Sequence, residues 1–161
     1  MFKATKPLKK PGDEEHAYEY ALFLLNLSMR TEGEIREKMK IRGYFTEVID
    51  KVIERLLIDH YLDDAHYVDM YIDSMKRYKY YGEFMMKKRL ILKKLPKELI
   101  DEKLRELVTL EDELEIATRY IVKEFGELKD VAKLDYDEKQ KIMRRLLSRG
   151  FNFGIVTQLV N

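Results

Sequence analysis

Cysteine is absent from the 161 residues, which excludes disulfides and thiol chemistry and fits a cytoplasmic protein. Proline occurs three times and glycine seven times, and long alternating stretches typical of half-buried strands are missing. Those shortages predict an all-α protein. No apolar run approaches the roughly 18 residues of a membrane span. The first residues, MFKATKPLKKPGDEE, are basic without an apolar core, so no secretory signal is expected. His16, His60 and His66 are scattered, and neither an HExxH pattern nor a phosphate-cradling glycine loop is present. The chain therefore reads as a non-enzyme with no cofactor, no metal site and no small-molecule substrate.

What is present is a chain 45% apolar and 38% charged, able both to stay in solution and to bury a core. Its most ordered stretch is Thr31 to Asp64. Thr31 followed by Glu34 is a capping-box signature, in which the hydroxyl and the carboxylate each accept from a backbone N–H. Ile35 and Met39 stripe a first helix, and Gly43 ends it in the left-handed conformation. Val48, Val52, Leu56 and Ile49, Ile53, Leu57 form two adjacent rows on a second, strongly amphipathic helix.

Residues 1–12 read as a loose basic arm carrying Lys3, Lys6, Pro7, Lys9, Lys10 and Pro11. The helix after it, from Asp13 to about Ser28, is apolar around most of its circumference, including Phe23 and Leu27. That predicts burial on several sides. Asp63 is expected to cap a further helix with Tyr67, Met70 and Tyr71 inward. The polar, aromatic link SMKRYKYYG leads to a helix near Glu83–Lys94, and Pro96 fits the first turn of the next. Thr109 with Asp112 and Asp135 with Glu138 read as two more caps. The helix opened by Thr109 is expected to bury Leu114, Ala117, Ile121 and Val122, and Phe125–Leu134 is the longest connector.

The pattern repeats. A shift of 107 positions places Ile35 on Ile142, Met39 on Leu146, Gly43 on Gly150 and Tyr44 on Phe151. A shift of 51 places Ile35 on Met86, Met39 on Leu90 and Tyr44 on Leu95, with Lys94 where the other copies have glycine. The middle turn is thus expected to close differently. The chain reads as three tandem three-helix repeats over 13–62, 63–108 and 109–161, forming an elongated, curved helical array.

Charge is segregated under a net of +1. From Lys76 to Arg105 eleven cations stand against four carboxylates, and from Glu106 to Glu138 the ratio reverses. Lys76, Arg77, Lys79, Lys87, Lys88, Arg89, Lys93 and Lys94 interleave with Tyr78, Tyr80 and Tyr81. Cations among aromatics suit single-stranded nucleic acid, charge tracking phosphates while rings stack on bases. The plainer alternative is lysines solvating helices whose tyrosines pack inward. A second cluster holds Lys139, Lys141, Arg144, Arg145 and Arg149, and Arg36, Lys38, Lys40 and Arg42 are its counterpart in the first repeat. Asp63 and Asp64 have a structural reading as cap and first-turn acid, and Tyr44 and Phe151 read as core.

Taken together, these features resemble the RecX family of bacterial RecA regulators over about residues 14–161. The resemblance rests on the triple repeat, on the helix-turn running from Thr31 through Glu34 and Ile35 to Arg42-Gly43-Tyr44, and on Tyr61-Leu62-Asp63-Asp64-Ala65-His66-Tyr67. That last run looks like the family's LDD-x-x-[FY] junction. Val68, where the family usually has alanine, and Lys94 depart from the pattern. The resemblance implies a regulator that binds RecA and its nucleoprotein filament on single-stranded DNA, lodging in the filament groove. It also implies inhibition of ATP hydrolysis and strand exchange and limits on filament growth, in recombination, DNA repair and the SOS response. The three basic clusters are then its expected contacts. The rival reading is an autonomous DNA-binding protein of helix-turn-helix type.

Overall fold

A computed structural model of the chain describes residues 8–160, and these are helical throughout with no strand among them. The elements are α1 (Glu14–Leu27), α2 (Glu32–Arg42), α3 (Thr46–Ile58), α4 (Asp64–Ser74), a π-helical turn (Met75–Lys79), α5 (Glu83–Leu92), α6 (Lys97–Leu107), α7 (Leu110–Phe125), the single turn α8 (Leu128–Val131), α9 (Tyr136–Ser148) and α10 (Phe153–Val160). The fold is a tandem series of three-helix repeats. Of the expected basic arm, Lys3, Lys6 and Pro7 lie outside the described residues.

By packing the chain divides into two compact units. The first takes residues up to Tyr67 together with Lys93–Leu95, and the second takes Val68–Leu92 together with the residues from Pro96 on. In the first unit α3 packs on α1 and α2. Val48, Ile49, Val52, Ile53 and Leu56 close over Ala17, Ala21, Leu24, Ile35 and Met39, with Tyr44 and Leu62 at the margins. In the second unit α6 packs on α5, and α10 packs on both α7 and α9.

The predicted caps form. Asp63 accepts from the His66 N–H at 2.9 Å, and Asp13, not singled out as a cap from the sequence, accepts from the His16 N–H at 3.1 Å. Thr31–Glu34, Thr109–Asp112 and Asp135–Glu138 are reciprocal capping boxes. Pro96 stands at the N-cap of α6, one residue earlier than expected, where its fixed φ and missing N–H are tolerated.

Several burial expectations fail, each because a helix offers its core only one stripe. Phe23 and Leu27 of α1 are 55% and 62% exposed, so that helix is not enclosed. Leu57 of α3 and Val122 of α7 face solvent. On α4 the inward residues are Tyr67, Val68 and Ile72, while Met70 is exposed. On α7 the buried residues are Glu113, Ile116, Ala117, Tyr120 and Ile121.

The middle turn reaches the same backbone conformation without glycine. Lys94 itself takes φ 57°, the left-handed conformation that Gly43 and Gly150 take at 105° and 85°. A lysine adopts it at a cost of about 1–2 kcal/mol.

Both units contain the same joint. In the first, the Thr31 hydroxyl donates to the Lys93 carbonyl at 2.6 Å, and the Asp64 carboxylate accepts from the Glu32 N–H at 2.9 Å. Gly33 lies so near that a Cβ there would stand 2.4 Å from the Lys94 carbonyl oxygen. In the second, the Gly82 N–H donates to the Arg149 carbonyl at 3.0 Å and the Phe84 N–H to the Gly150 carbonyl at 3.2 Å. The Glu113 carboxylate accepts from the Glu83 N–H at 2.8 Å. Each joint therefore seats a helix-linking turn on a helix N-terminus, one of whose N–H groups donates to a carboxylate.

Candidate functional site

The cations singled out from the sequence divide by what they already hold. In the first unit Arg36 bridges Glu32 and Asp50 at 2.7 and 2.6 Å. Lys94 pairs with Glu37 at 2.9 Å and Lys93 with Glu34 at 3.2 Å. Burial works against the charge on Lys93, but Tyr67 and Glu34 outweigh it and hold its pKa above the ordinary lysine value. Lys38 and Lys40 are exposed and have no ion-pair partner among the described residues. Arg42 is half-buried and engaged.

In the second unit Lys76 donates to the Leu107 carbonyl and to Asp112, both at 2.7 Å. Burial disfavours the ionised Asp112, yet Lys76 and the N–H and hydroxyl of Thr109 prevail and bring its pKa down to about 2. Glu113 has the opposite balance. Burial dominates the single Glu83 N–H bond and raises its pKa, as burial also does for Asp64 in the first unit. Arg77 pairs with Asp73 at 2.8 Å, and Lys87 with Asp101. Lys79, Lys88 and Lys141 are exposed without an ion-pair partner among the described residues.

The remaining cations lie against rings. The Arg149 guanidinium carbon is 4.1 Å from the centroid of Tyr120 and 5.8 Å from that of Tyr81. It also donates to the Lys79 carbonyl. Arg89 is 5.6 Å from the Tyr81 ring, and Arg145 is 5.7 Å from Phe125, whose ring meets Tyr120 edge-on at 6.1 Å. Tyr80 sits 6.2 Å from Tyr120 with Lys123 at 5.0 Å and Arg119 at 5.7 Å. Lys141, Arg144 and Arg145 share one exposed face of α9, where Arg144 donates to the Gln140 carbonyl at 3.2 Å. The structure thus sets Tyr80, Phe125 and Arg149 against Tyr120, with Tyr81 and Arg89 linked to it through Arg149 and Arg145 through Phe125. Tyr78 stands apart, 72% exposed.

Sequence reasoning missed Tyr120, Phe125, Arg119, Lys123, Glu113 and the close approaches at Gly33 and Gly82. Tyr120 had a legible signal, lying one helical turn from Ile116 and Ala117. Arg119 and Lys123 lay in a segment whose net acidity hid them. His16, read as a surface or structural residue, shares a 2.7 Å hydrogen bond with the Tyr44 hydroxyl.

Residues 17–56 match a family model described as RecX, first three-helix domain, and residues 111–160 match RecX, third three-helix domain. A curated Regulatory protein RecX of Clostridium acetobutylicum is 30% identical over 155 residues, covering 91% of this chain and 70% of its own length. The chain belongs to the RecX family. The RecX protein of Clostridium beijerinckii is 31% identical over 142 residues, covering 88% of this chain, which spans 65% of that relative's length. The crystal structure of RecX from Lactobacillus salivarius superposes with a TM-score of 0.79 over 95% of this chain and 96% of that one, at 21% identity. That likeness shows the shared RecX fold. No helix among the described residues is long and apolar enough to cross a membrane.

Proposed function

We propose that the chain binds the RecA recombinase and its nucleoprotein filament on single-stranded DNA, inhibits ATP hydrolysis and strand exchange, and limits filament growth. It acts in the cytoplasm on recombination, DNA repair and the SOS response, without a catalytic centre of its own. The observation that carries this reading is membership of a family whose curated relatives are named regulatory proteins. The cations Lys38, Lys40, Lys79, Lys88 and Lys141, without an ion-pair partner among the described residues, support it, since charges not spent on carboxylates remain available to phosphates or acidic protein surface. Repeat boundaries at 13–62, 63–108 and 109–161 go with the proposal.

The test is RecA's DNA-dependent ATPase. Stoichiometric chain is expected to suppress it; no suppression together with no binding to the filament rejects the function. The helix-turn-helix formed by α2, Gly43 and α3 supports the rival, an autonomous DNA-binding protein. Titrating bare single-stranded and duplex DNA across salt, with and without RecA, separates the two. Binding to bare DNA that RecA leaves unchanged favours the rival.

A further inference from the structure

The link between α4 and α5 departs from regular α-helix. Met75–Lys79 winds as a π-helical turn and Tyr80 follows at φ 51°. Such turns are less favourable than α-helix and persist where surrounding groups hold them, often at functional sites. Three cations hold this one from its inner side. Arg149 donates to the Lys79 carbonyl and, at 3.5 Å, to the Tyr80 carbonyl, with its guanidinium laid on Tyr120. Arg119 donates to the Lys76 carbonyl at 3.1 Å. Lys76 is anchored on Leu107 and Asp112. On the outer side the turn presents Tyr78, 72% exposed, beside the exposed Lys79.

We infer that Tyr78 and Lys79 form a single-strand contact, the ring stacking on one base and the ammonium meeting a neighbouring phosphate, and that Arg149 is a positioning residue which presents them. This deepens the single-stranded DNA reading proposed above and rests on it. An exposed ring needs the open face of an unpaired base, which a duplex does not offer. Lys123, 5.0 Å from the centroid of the half-buried Tyr80 and only loosely paired with Glu124 at 3.9 Å, supplies the next positive charge along the strand. Arg149 is assigned to positioning because its Nη1 serves both turn carbonyls while its guanidinium lies on Tyr120.

The probe is fluorescein-labelled oligothymidylate without RecA, followed by anisotropy at several salt concentrations and by intrinsic emission. The chain has eleven tyrosines and no tryptophan, so the emission is tyrosine's, and the quenching lost in Tyr78→Ala is the share of that ring. Tyr78→Ala is expected to weaken binding about tenfold, to lose part of the quenching and to leave the salt slope unchanged. Lys79→Gln should lower that slope by about 0.7. Arg149→Lys should weaken binding about threefold with the slope unchanged, since a lysine has no planar group to lie on Tyr120 while it reaches the two carbonyls. Tyr136, 74% exposed among Asp135, Asp137 and Glu138, is the control, and Tyr136→Ala should bind as the parent does.

Three results overturn the inference: a parent chain that fails to bind oligothymidylate, a Tyr78→Ala variant that binds as tightly as the parent, or an Arg149→Lys variant that lowers the slope as a phosphate ligand would. Polyglutamate displacing the oligonucleotide equally well from parent and Tyr78→Ala would assign the surface to an acidic protein partner instead. Absence of RecA inhibition together with absence of filament binding rejects the regulatory function and leaves these readouts standing.

Discussion

Gly43, Lys94 and Gly150 occupy one position of the repeat and one backbone conformation, but their surroundings differ. A Cβ on Gly43 would meet nothing closer than 3.9 Å, whereas on Gly150 it would stand 2.3 Å from the Met85 backbone nitrogen. Gly43→Ala is therefore expected to cost about 1–2 kcal/mol, the strain of the left-handed conformation alone. Gly150→Ala adds an overlap with backbone that cannot swing aside, and should cost at least about 1 kcal/mol more. Urea denaturation midpoints of the two variants check the difference; equal losses would mean that the second turn is not seated as described. At this scale the sequence was a good guide to chemistry and a weaker one to exposure. Tyr44 and Phe151 are core as read from their turn positions, while Leu57, Met70 and Val122 have the same apolar character and face water. Hydrophobicity says that a side chain tolerates burial, not that a neighbour arrives to bury it.

Among the elements, the capping residues act at two levels. Thr31 is fully buried; its oxygen accepts from the Glu34 N–H at 3.1 Å while its proton goes to the Lys93 carbonyl. Thr109 caps α7 with the same geometry in an exposed place. Thr109→Ala should therefore cost about 1 kcal/mol, the usual loss of a helix cap. Thr31→Ala should cost about 2–3 kcal/mol, because the Lys93 carbonyl also loses its donor. Thermal unfolding of both variants, with Thr31→Ser restoring most of the loss, tests the argument. The cap was legible from Thr31 and Glu34 alone. Its second bond was not, since the residues involved lie 62 positions apart. The π-helical turn was equally hidden, because it depends on Arg119 and Arg149 reaching carbonyls that no local rule assigns to them.

Across the whole molecule, a net charge of +1 conceals carboxylates that respond to acid in opposite directions. The pKa of Asp112 is held at about 2, below its ordinary 3.8, so its contribution is complete above about pH 4 and disappears as pH falls towards 2. Asp64 and Glu113 are raised by burial, so their folded-state contribution is greatest below their ordinary values of 3.8 and 4.5 and is lost as pH rises through the raised ones. Lys76→Gln should consequently destabilise at neutral pH, with a deficit that narrows below pH 4. Glu113→Gln should flatten the decline above about pH 4.5. Urea midpoints measured from pH 2.5 to 7 read both; a Lys76→Gln deficit constant across that range would remove Lys76 as the cause. The same view separates basic residues by availability. Lys76, Arg77 and Lys87 are engaged by carboxylates and Arg149 by carbonyls and rings, whereas Lys79, Lys88 and Lys141 are open to partners.

By itself the sequence determined the helices, their caps and the threefold recurrence. These follow from the spacing of apolar residues and from hydroxyls and carboxylates placed three positions apart, which are local properties of the chain. It also determined which segments are basic. Only the tertiary structure decided which of those cations stay free and that Lys94 bends as glycine does. It alone placed Glu113 out of water at a helix N-terminus. Each of these depends on where distant backbone comes to rest, and ion pairing, desolvation and steric overlap act across space irrespective of distance along the chain.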